Sequence, residues 1–214
     1  MTRLVMQRIP TRIWELYAGC PLGIRLFAWA RTLICPFDKV LAQAPPQGRF
    51  VEIGCGTGIC ANLLALDQPN RTVAGYDLNP KVVAAAARTV RDRPNIMFQA
   101  ADVHDALVRQ AADVIVAVDL FHHLSAEVQV TVVSQVSQLL KAGGLFLLKD
   151  VERRPRWRYF ANYLHDALVA HGNPRIHVLS REEYCRLLES AGFTVEVVLM
   201  PKAYLAHILY VCRR

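Results

Sequence analysis

A short apolar strand that runs into a glycine-rich turn and then into a helix limits what this chain can fold into. Residues 50–53 form an apolar segment, three glycines alternate with other residues over 54–58, and residues 59–66 have a helical pattern. Glycine allows positive φ angles and lets a ligand approach the bare backbone. The turn has no lysine, which excludes a phosphate-binding P-loop, and its G-x-G-x-G spacing differs from the G-x-G-x-x-G of dinucleotide folds.

Apolar segments and helical segments alternate along the next hundred residues. Asn79 is placed to cap a helix whose first residue is Pro80, and a long helix begins at Ser125 and ends near Lys141. Strands alternating with helices at this spacing predict a parallel, doubly wound sheet. Further strands are predicted at residues 72–76, 96–98, 113–118 and 145–148.

The C-terminal part follows a different pattern. Residues 180–183 have the spacing of a capping box, and the helix that they begin stops at Gly192. Two strands then follow, over residues 193–200 and 204–212, with no helix between them. Strands this close together pair antiparallel. The fold class predicted is therefore α/β: a doubly wound, Rossmann-like sheet of seven strands, parallel except for the last.

Two segments lie outside this alternation. Residues 1–45 predict two or three helices, and residues 151–179 are an insertion with aromatic residues at helical spacing. Ligands of doubly wound folds bind at the carboxyl ends of the strands, which both segments could cover. We expect an N-terminal helical lid over 1–45 and a main domain over 46–214 that carries the 151–179 insertion as a cap.

Composition limits the class of protein further. Hydrophobic residues are 53% of the 214, enough for one domain with a sizeable core. The six cysteines are scattered without C-x-x-C spacing, which favours reduced thiols and a cytoplasmic protein. Arginines interrupt the N-terminus, so we expect no signal peptide, and no apolar run reaches the length of a membrane span. The net charge of +7 is spread along the chain, so we expect no nucleic-acid partner.

Three carboxylates accompany the glycine turn. Glu52 precedes it, Asp77 ends the second strand, and Asp102 follows the third strand. A carboxylate at the position of Asp77 can accept two hydrogen bonds from a ribose diol, and one at Asp102 can accept a bond from an adenine amino group. A glycine turn needed only for its conformation would not require these acids, so the set predicts a nucleoside ligand.

These motifs resemble the class I S-adenosylmethionine-dependent methyltransferases. The resemblance covers about residues 48–212, apart from the insertion, and is specific for the cofactor and reaction type but weak for the acceptor. The stretches that carry it are VEIGCGTG (51–58), GYDLNP (75–80), AADV (100–103), DVIVAVDLFHHL (113–124) and LKAGGLFLLKD (140–150).

The resemblance implies a binding site for S-adenosyl-L-methionine, with S-adenosyl-L-homocysteine as product. It implies that Asp77 binds the ribose diol, that Leu78 packs on the adenine, and that Asp119 lies near the methionine moiety and the acceptor. The residues that it places around the cofactor are Glu52, Gly54, Cys55, Gly56, Asp77, Leu78, Asp102, Val103 and Asp119.

An oxygen acceptor needs a base unless it is already ionised. His122 and His123 directly follow the fourth strand, and we expect at least one to face the pocket. The alternative is that they pack or cap the next helix. Lys149, Tyr159 and Tyr163 are candidates for acceptor contacts, along with Asn162 and His165. Lys149 and Asp150 could instead be a solvated pair, and the aromatic residues could simply pack a cap helix.

Two acids at the same edge of the sheet raise the alternative of a metal site. Some small-molecule O-methyltransferases of the family hold magnesium with acids at the positions of Asp119 and Asp150. Val151 stands where those enzymes have an asparagine ligand, so we expect no metal.

The expected reaction is methyl transfer to an oxygen, or alternatively a carbon, of a hydrophobic or aromatic small molecule. The N-P-P-Y-type tetrad expected for amino acceptors is absent after the fourth strand. Two alternatives stay open: a methyltransferase acting on RNA or protein, and a non-catalytic S-adenosylmethionine-binding domain. Monomer and homodimer also stay open.

The N-terminal segment carries one further hypothesis. Residues 22–37 form an amphipathic stretch that contains Arg25 and Arg31. It could make peripheral contact with an anionic membrane, or it could be a lid helix packed on the end of the sheet.

Overall fold

The computed structural model describes residues 9–108, 111–155, 157, 177–202 and 205–214. Short 3-10 turns lie at Tyr17–Gly19 and Phe121–His123. The helices are α1 (Ile9–Leu16), α2 (Leu22–Ile34), α3 (Phe37–Gln43), α4 (Ile59–Asp67), α5 (Pro80–Ala87), α6 (Val103–Val108), α7 (Ala126–Leu139) and α8 (Arg181–Ser190). The strands are β1 (Gly48–Ile53), β2 (Arg71–Asp77), β3 (Ile96–Ala100), β4 (Ala112–Val118), β5 (Leu140–Val151), β6 (Thr194–Leu199) and β7 (His207–Arg213).

The strands form one seven-stranded sheet in the order β3-β2-β1-β4-β5-β7-β6. Strands β1 to β5 pair in parallel, and β7 runs antiparallel to both β5 and β6. The predicted fold, including the reversed last strand, is confirmed. The order reverses direction between β1 and β4, and ligands of doubly wound sheets bind at such a switch point.

Local capping fixes where two of the helices begin. The Asn79 side chain accepts a hydrogen bond from the Lys81 backbone at 3.0 Å, with Pro80 in the first turn of α5. In α8, the Ser180 hydroxyl accepts from Glu183 N at 3.2 Å, and the Glu183 carboxylate accepts from Ser180 N at 2.7 Å. Both sequence predictions of helix starts are confirmed.

Strand β5 begins earlier than its sequence predicts. The glycine pair at 143–144 suggested a break before a strand over 145–148, whereas the structure ends α7 at Leu139 and extends the chain from Leu140. The pairing with β4 shifts register between Ala112 and Val114, which accommodates the glycines as an irregularity within the strand.

Alternate residues of the central strands enter different hydrophobic clusters. In β4, Val114 and Val116 belong to the cluster that includes α1 to α4, while Ile115 and Ala117 belong to the cluster that includes α7 and α8. Both faces of the sheet are therefore covered, which explains why this strand is apolar almost throughout. Helix α4 is buried nearly all round because α3 packs against it as well as the sheet.

The N-terminal helices are fastened to the glycine turn. The hydroxyl of Tyr17, a fully buried residue, donates a hydrogen bond to the carbonyl of Thr57 at 2.7 Å. The side chain of Asn62, at the start of α4, donates to that hydroxyl at 3.4 Å and to the Gly58 carbonyl at 2.7 Å. The N-terminal segment thus supports the backbone of the turn from behind.

The carboxyl end of α2 is fastened to the far edge of the sheet. Lys202 Nζ donates to the carbonyls of Thr32 at 3.0 Å and Cys35 at 3.1 Å, and His207 Nε2 donates to the Ile34 carbonyl at 3.0 Å. These bonds satisfy carbonyls that a helix end leaves without intrahelical partners. Burial, aided by the Lys149 charge, lowers the pKa of His207 to about 3, so this histidine is neutral at physiological pH.

Helix α2 packs through one face and leaves another outside. Ala28 and Thr32 are buried, which agrees with a helix packed on the fold, while Leu22, Leu26 and Trp29 are exposed. Among the helices of the described residues, none is long and apolar enough to cross a membrane.

The two tyrosines Tyr17 and Tyr184 test the fastening of the N-terminal segment. Tyr17→Phe leaves the Thr57 carbonyl without its donor, and we expect a loss of about 1–3 kcal/mol in the free energy of unfolding. The hydroxyl of Tyr184 is buried with no hydrogen-bond partner among the described residues. Tyr184→Phe is therefore the matched control, with a change near zero. Urea unfolding of both variants makes the comparison; equal losses would contradict the role given to Tyr17.

Candidate functional site

A cavity of about 230 Å³ lies at the carboxyl edge of the sheet, at the switch point between β1 and β4. Its walls come from the turns after β1, β2 and β4 and from the N-terminal helices. The residues that line it are Phe27, Arg31, Phe37, Glu52, Gly54, Cys55, Gly56, Thr57, Ile59, Cys60, Asp77, Val118, Asp119, Leu120 and His123. The structure thus gathers six of the nine predicted cofactor residues around one space.

The three glycines of the turn have two different structural roles. All three have positive φ angles, 67° at Gly54, 53° at Gly56 and 84° at Gly58. A Cβ on Gly54 would lie 2.6 Å from the Leu120 side chain, and one on Gly58 would lie 2.6 Å from the Phe98 ring. A Cβ on Gly56 would meet nothing within 4 Å. The outer glycines allow close packing, and Gly56 leaves open space beside its backbone for a ligand.

Asp77 shapes the turn as well as facing the cavity. Its Oδ2 accepts a hydrogen bond from Gly56 N at 2.8 Å, and its Oδ1 accepts one from Asn79 N at 2.9 Å. Each oxygen keeps a second lone pair, and the residue is only half-buried. Leu78 beside it is 72% exposed, so its side chain is available to a ligand on the outer side of β2.

Glu52 lies buried beneath the turn. Its carboxylate accepts a hydrogen bond from Ala61 N at 2.8 Å, in the first turn of α4. Burial, with a smaller contribution from the Asp77 charge, raises the pKa of Glu52 from 4.5 to about 8. The carboxyl group is therefore mostly protonated at neutral pH in the cofactor-free protein.

Asp119 is held between two cations. Its Oδ1 accepts a bond from Lys149 Nζ and its Oδ2 accepts one from Arg31 Nη2. Burial opposes ionisation of Asp119, but Lys149 and Arg31 outweigh it and hold its pKa well below the ordinary range. The backbone at Asp119 has a positive φ of 53°, a left-handed conformation that is uncommon for a residue other than glycine.

Lys149 was expected to contact the acceptor or to belong to a solvated pair with Asp150. The structure buries both side chains completely, so the solvated pair is wrong. Lys149 is absent from the cavity lining and lies behind Asp119, which it holds in place. The charge pairs with Asp119 because a buried ammonium needs a carboxylate partner.

The two histidines occupy different environments. His122 is buried, and its Nδ1 and backbone N–H both bond to the Asp150 carboxylate, the latter at 3.1 Å. His123 is exposed and lines the cavity, with its ring centre 4.0 Å from that of His122. A carboxylate on Nδ1 fixes the proton there and makes Nε2 the basic nitrogen of His122.

The other predicted residues lie apart from the cavity lining or outside the described part. Asp102 is half-buried, and its Oδ1 accepts a bond from His104 N at 2.9 Å at the start of α6; Val103 is half-buried beside it. Tyr159 and Tyr163, with Asn162 and His165, lie outside the described residues.

Sequence reasoning missed the contribution of the N-terminal helices to this site. The sequence pattern indicates Arg31 only as a charge in the amphipathic stretch 22–37, and it gives no sign that Phe27 or Phe37 lines a cavity. Their contacts join segments far apart in the chain, as with Arg31 and Asp119, which are 88 residues apart. One signal was available in the sequence: Arg31 is a basic residue in an apolar helix with no acid nearby, and such a residue needs a carboxylate from a distant part of the chain.

Among the described residues, no group of three or more histidines, cysteines, aspartates or glutamates is arranged to hold a metal ion. The Asp119 and Asp150 carboxylates are both engaged, the first by Arg31 and Lys149 and the second by His122.

Comparison with known proteins identifies the family. A family model described as a methyltransferase domain matches residues 27–198. The chain belongs to this methyltransferase family. The predicted resemblance to class I S-adenosylmethionine-dependent methyltransferases is confirmed.

The relatives differ in what they methylate. Trans-aconitate 2-methyltransferase of Methylobacterium nodulans is 26% identical over 175 residues, which are 76% of this chain and 64% of the relative. Malonyl-[acyl-carrier protein] O-methyltransferase of Halalkalibacterium halodurans is 30% identical over 124 residues, 55% of this chain and 45% of the relative. The chain thus spans less than two thirds of the length of either relative.

A solved structure shows the same fold. Magnesium protoporphyrin IX methyltransferase of Synechocystis, with bound SAH, has a TM-score of 0.67 at 16% identity, covering 83% of this chain and 81% of that one. At this identity the likeness concerns the fold.

The raised pKa of Glu52 predicts how stability depends on pH. A carboxyl group whose pKa is higher in the folded state than in the unfolded state stabilises the folded protein while it is protonated. For Glu52 this contribution is complete below pH 4.5 and is lost as the pH rises to 8. Glu52→Gln keeps an oxygen to accept from Ala61 N but does not titrate.

We therefore expect the free energy of unfolding of Glu52→Gln, measured without cofactor, to rise relative to that of the wild type. The expected rise is about 1.4 kcal/mol for each pH unit between 4.5 and 8. Urea unfolding of both proteins at pH 5.5 and 7.5 gives the double difference, in which the other titrating groups cancel. A difference that stays constant with pH would show that Glu52 has an ordinary pKa.

Proposed function

We propose that this chain transfers a methyl group from S-adenosylmethionine to an oxygen of a hydrophobic or aromatic small molecule, with carbon as the alternative acceptor atom. The observation that carries the proposal is the cavity at the switch point, where the open side of Gly56, the half-buried Asp77 carboxylate and Asp119 meet. The family membership supports the reaction type, and the acceptor rests on the chemistry of the cavity walls.

The cofactor proposal assigns each part of the ligand to a group of the chain. Gly54, Cys55 and Gly56 would border the methionine and ribose, and the spare lone pairs of Asp77 would accept from the ribose diol. The exposed Leu78 side chain would cover the adenine, with Asp102 and Val103 at its amino edge. When bound, the cofactor supplies a methyl group on a sulfonium, so the leaving group is already activated.

The charges beside the cavity favour a ligand with a carboxylate. Asp119 is paired with both Arg31 and Lys149, so this cluster carries one net positive charge. Of the other acids that line the cavity, Glu52 adds little negative charge because its raised pKa keeps it mostly protonated at neutral pH, and the Asp77 carboxylate is assigned to the ribose diol. A positive cluster of this kind suits the carboxylate of the cofactor's methionine part or an anionic acceptor. Trans-aconitate and malonyl groups, named for the two relatives, are acceptors of that kind.

Apolar side chains of the N-terminal helices support a hydrophobic acceptor. Phe27 and Phe37 line the cavity on the side facing the glycine turn. Aromatic walls with few polar groups bind flat or greasy ligands and exclude water. We propose that the helices of residues 1–45 form the lid of the site. The insertion, with Tyr159 and Tyr163, would make a further contact with the acceptor. We propose the cytoplasm as the location of the protein.

A histidine is proposed to take the proton of the acceptor. His123 lines the cavity and is the proposed base. The ring of His122 lies next to the His123 ring and is oriented by the Asp150 carboxylate. A base held within reach of the acceptor proton raises the rate by about 10²–10⁴-fold. The rest of the catalysis is alignment of the acceptor with the methyl group.

Cofactor binding tests the proposal directly. Asp77→Ala removes the proposed ribose contact and also the bonds to Gly56 N and Asn79 N, and we expect S-adenosylmethionine to bind at least about tenfold more weakly, or 1.4 kcal/mol. Asp77→Asn keeps one accepting oxygen and should lie between the two. Asp92→Ala is the control, because Asp92 is an exposed acid before β3, at the opposite edge of the sheet. Calorimetry measures all four proteins; unchanged affinity in Asp77→Ala would refute the ribose placement, and a wild type without affinity would refute the cofactor.

Turnover separates the two histidines. With methyl-labelled cofactor and a panel of phenols and carboxylates, the acceptor with the highest turnover is identified first. His123→Ala should then lower kcat by about 10²-fold or more at neutral pH and recover in part as pH approaches the acceptor's own pKa. His122→Gln, which cannot act as a base, should have a smaller effect if the residue only positions its neighbour. If neither variant lowers turnover, the base proposal is wrong.

A further inference from the structure

Helix α2 carries an apolar stripe on its outer side. Leu22, Leu26, Trp29 and Leu33 follow one another at intervals of four, three and four residues, which places them on one face of the helix. They are 63%, 46%, 39% and 44% exposed. Contiguous apolar patches of this kind on a protein surface mark contact with a membrane or another macromolecule.

The charge around the stripe favours an anionic surface. No aspartate or glutamate occurs between Leu16 and Phe37, whereas Arg25 lies one residue before Leu26 and the chain as a whole carries +7. Arg31, the other basic residue of the helix, faces the cavity and pairs with Asp119. Arg25 stacks over the Trp14 ring at 3.9 Å, which holds its charge close to the stripe's helix. A basic helix with exposed Leu and Trp is the kind of element that lies in the headgroup region of a bilayer.

A second copy of the chain is the competing partner for the stripe. The four stripe side chains expose on the order of 400 Å², taking about 200 Å² for a fully exposed large side chain. This is close to the apolar share of the about 800 Å² that each partner of a standard interface buries, so the area fits both partners. The charge favours the bilayer, because two copies of an acid-free, basic surface repel each other whereas anionic lipid attracts it.

The stripe and the proposed active site share helix α2 but use different parts of its circumference. Phe27, which lines the cavity one helical turn before Arg31, stands about 100° around the helix from Leu26. At the C-terminal end of the stripe, Leu33 borders a groove of about 620 Å³ whose wall includes Phe37, a residue that also lines the cavity. The cavity therefore lies against the same helix that carries the stripe.

We propose that α2 lies on an anionic phospholipid bilayer, with Leu22, Leu26, Trp29 and Leu33 in the headgroup region. Surface attachment of this kind does not require the methyl transfer. If the proposed function holds, attachment also keeps the cavity close to a hydrophobic acceptor dissolved in the bilayer.

Co-sedimentation with vesicles tests the proposal. The wild type is mixed, without cofactor, with large unilamellar vesicles of phosphatidylcholine and phosphatidylglycerol at 3:1, and with vesicles of phosphatidylcholine alone. We expect binding to the mixed vesicles and at least tenfold weaker binding to the neutral ones. The double variant Leu26→Glu, Trp29→Glu should bind the mixed vesicles at least tenfold more weakly than the wild type.

Val130→Glu is the matched control, because Val130 is a 54% exposed apolar residue on α7, away from the stripe. It should bind vesicles as the wild type does, and circular dichroism and calorimetry with S-adenosylmethionine should show that all variants are folded. No sedimentation of the wild type, or an equal loss in Val130→Glu, would overturn the proposal. So would a dimer in analytical ultracentrifugation that the double variant abolishes. Because vesicle binding is measured without cofactor and acceptor, its failure is distinct from a failure of the proposed function.

Discussion

The carboxylate of Asp119 joins three parts of the molecule that are far apart in the chain. It ends β4, accepts a bond from Lys149 on β5, and accepts another from Arg31 on the N-terminal helix α2. Both cations depend on Asp119, because its removal would leave the buried Lys149 ammonium without its partner, at a cost far above that of a surface ion pair. The wall between the N-terminal helices and the sheet, and so the shape of the cavity, rests on this cluster.

The rest of the site is built from close packing behind the glycine turn. Leu120 fills the space that a side chain at residue 54 would need, and Phe98 fills the spaces beside Gly58 and Gly75. The turn is therefore pressed into one shape by neighbours on β3 and after β4, while the open side of Gly56 faces the cavity. A backbone held this way is ready for a ligand before the ligand arrives, which lowers the conformational entropy that binding has to overcome.

The fold could be predicted from the sequence, and the site only in part. Strands covered on both faces are apolar throughout and easy to locate, and the few residues between β6 and β7 required the antiparallel pairing. The beginning of β5 was missed because glycines usually end regular structure. The burial of Lys149 was missed because a lysine beside an aspartate is commonly solvated, and its true partner, Asp119, lies 30 residues away. The contacts of α2 with the cavity depend on tertiary packing that no local pattern encodes.

The N-terminal helices are fastened to the rest of the fold in several places, which limits the movements that can admit a ligand to the cavity. Swinging the whole segment away would break the bonds of Tyr17, Arg31 and Lys202 at once. A rotation of the half-exposed Phe27 ring breaks none of them, and side chains at a surface rotate within nanoseconds. The Phe27 ring can therefore move at the edge of the cavity while the N-terminal helices stay fastened to the rest of the fold.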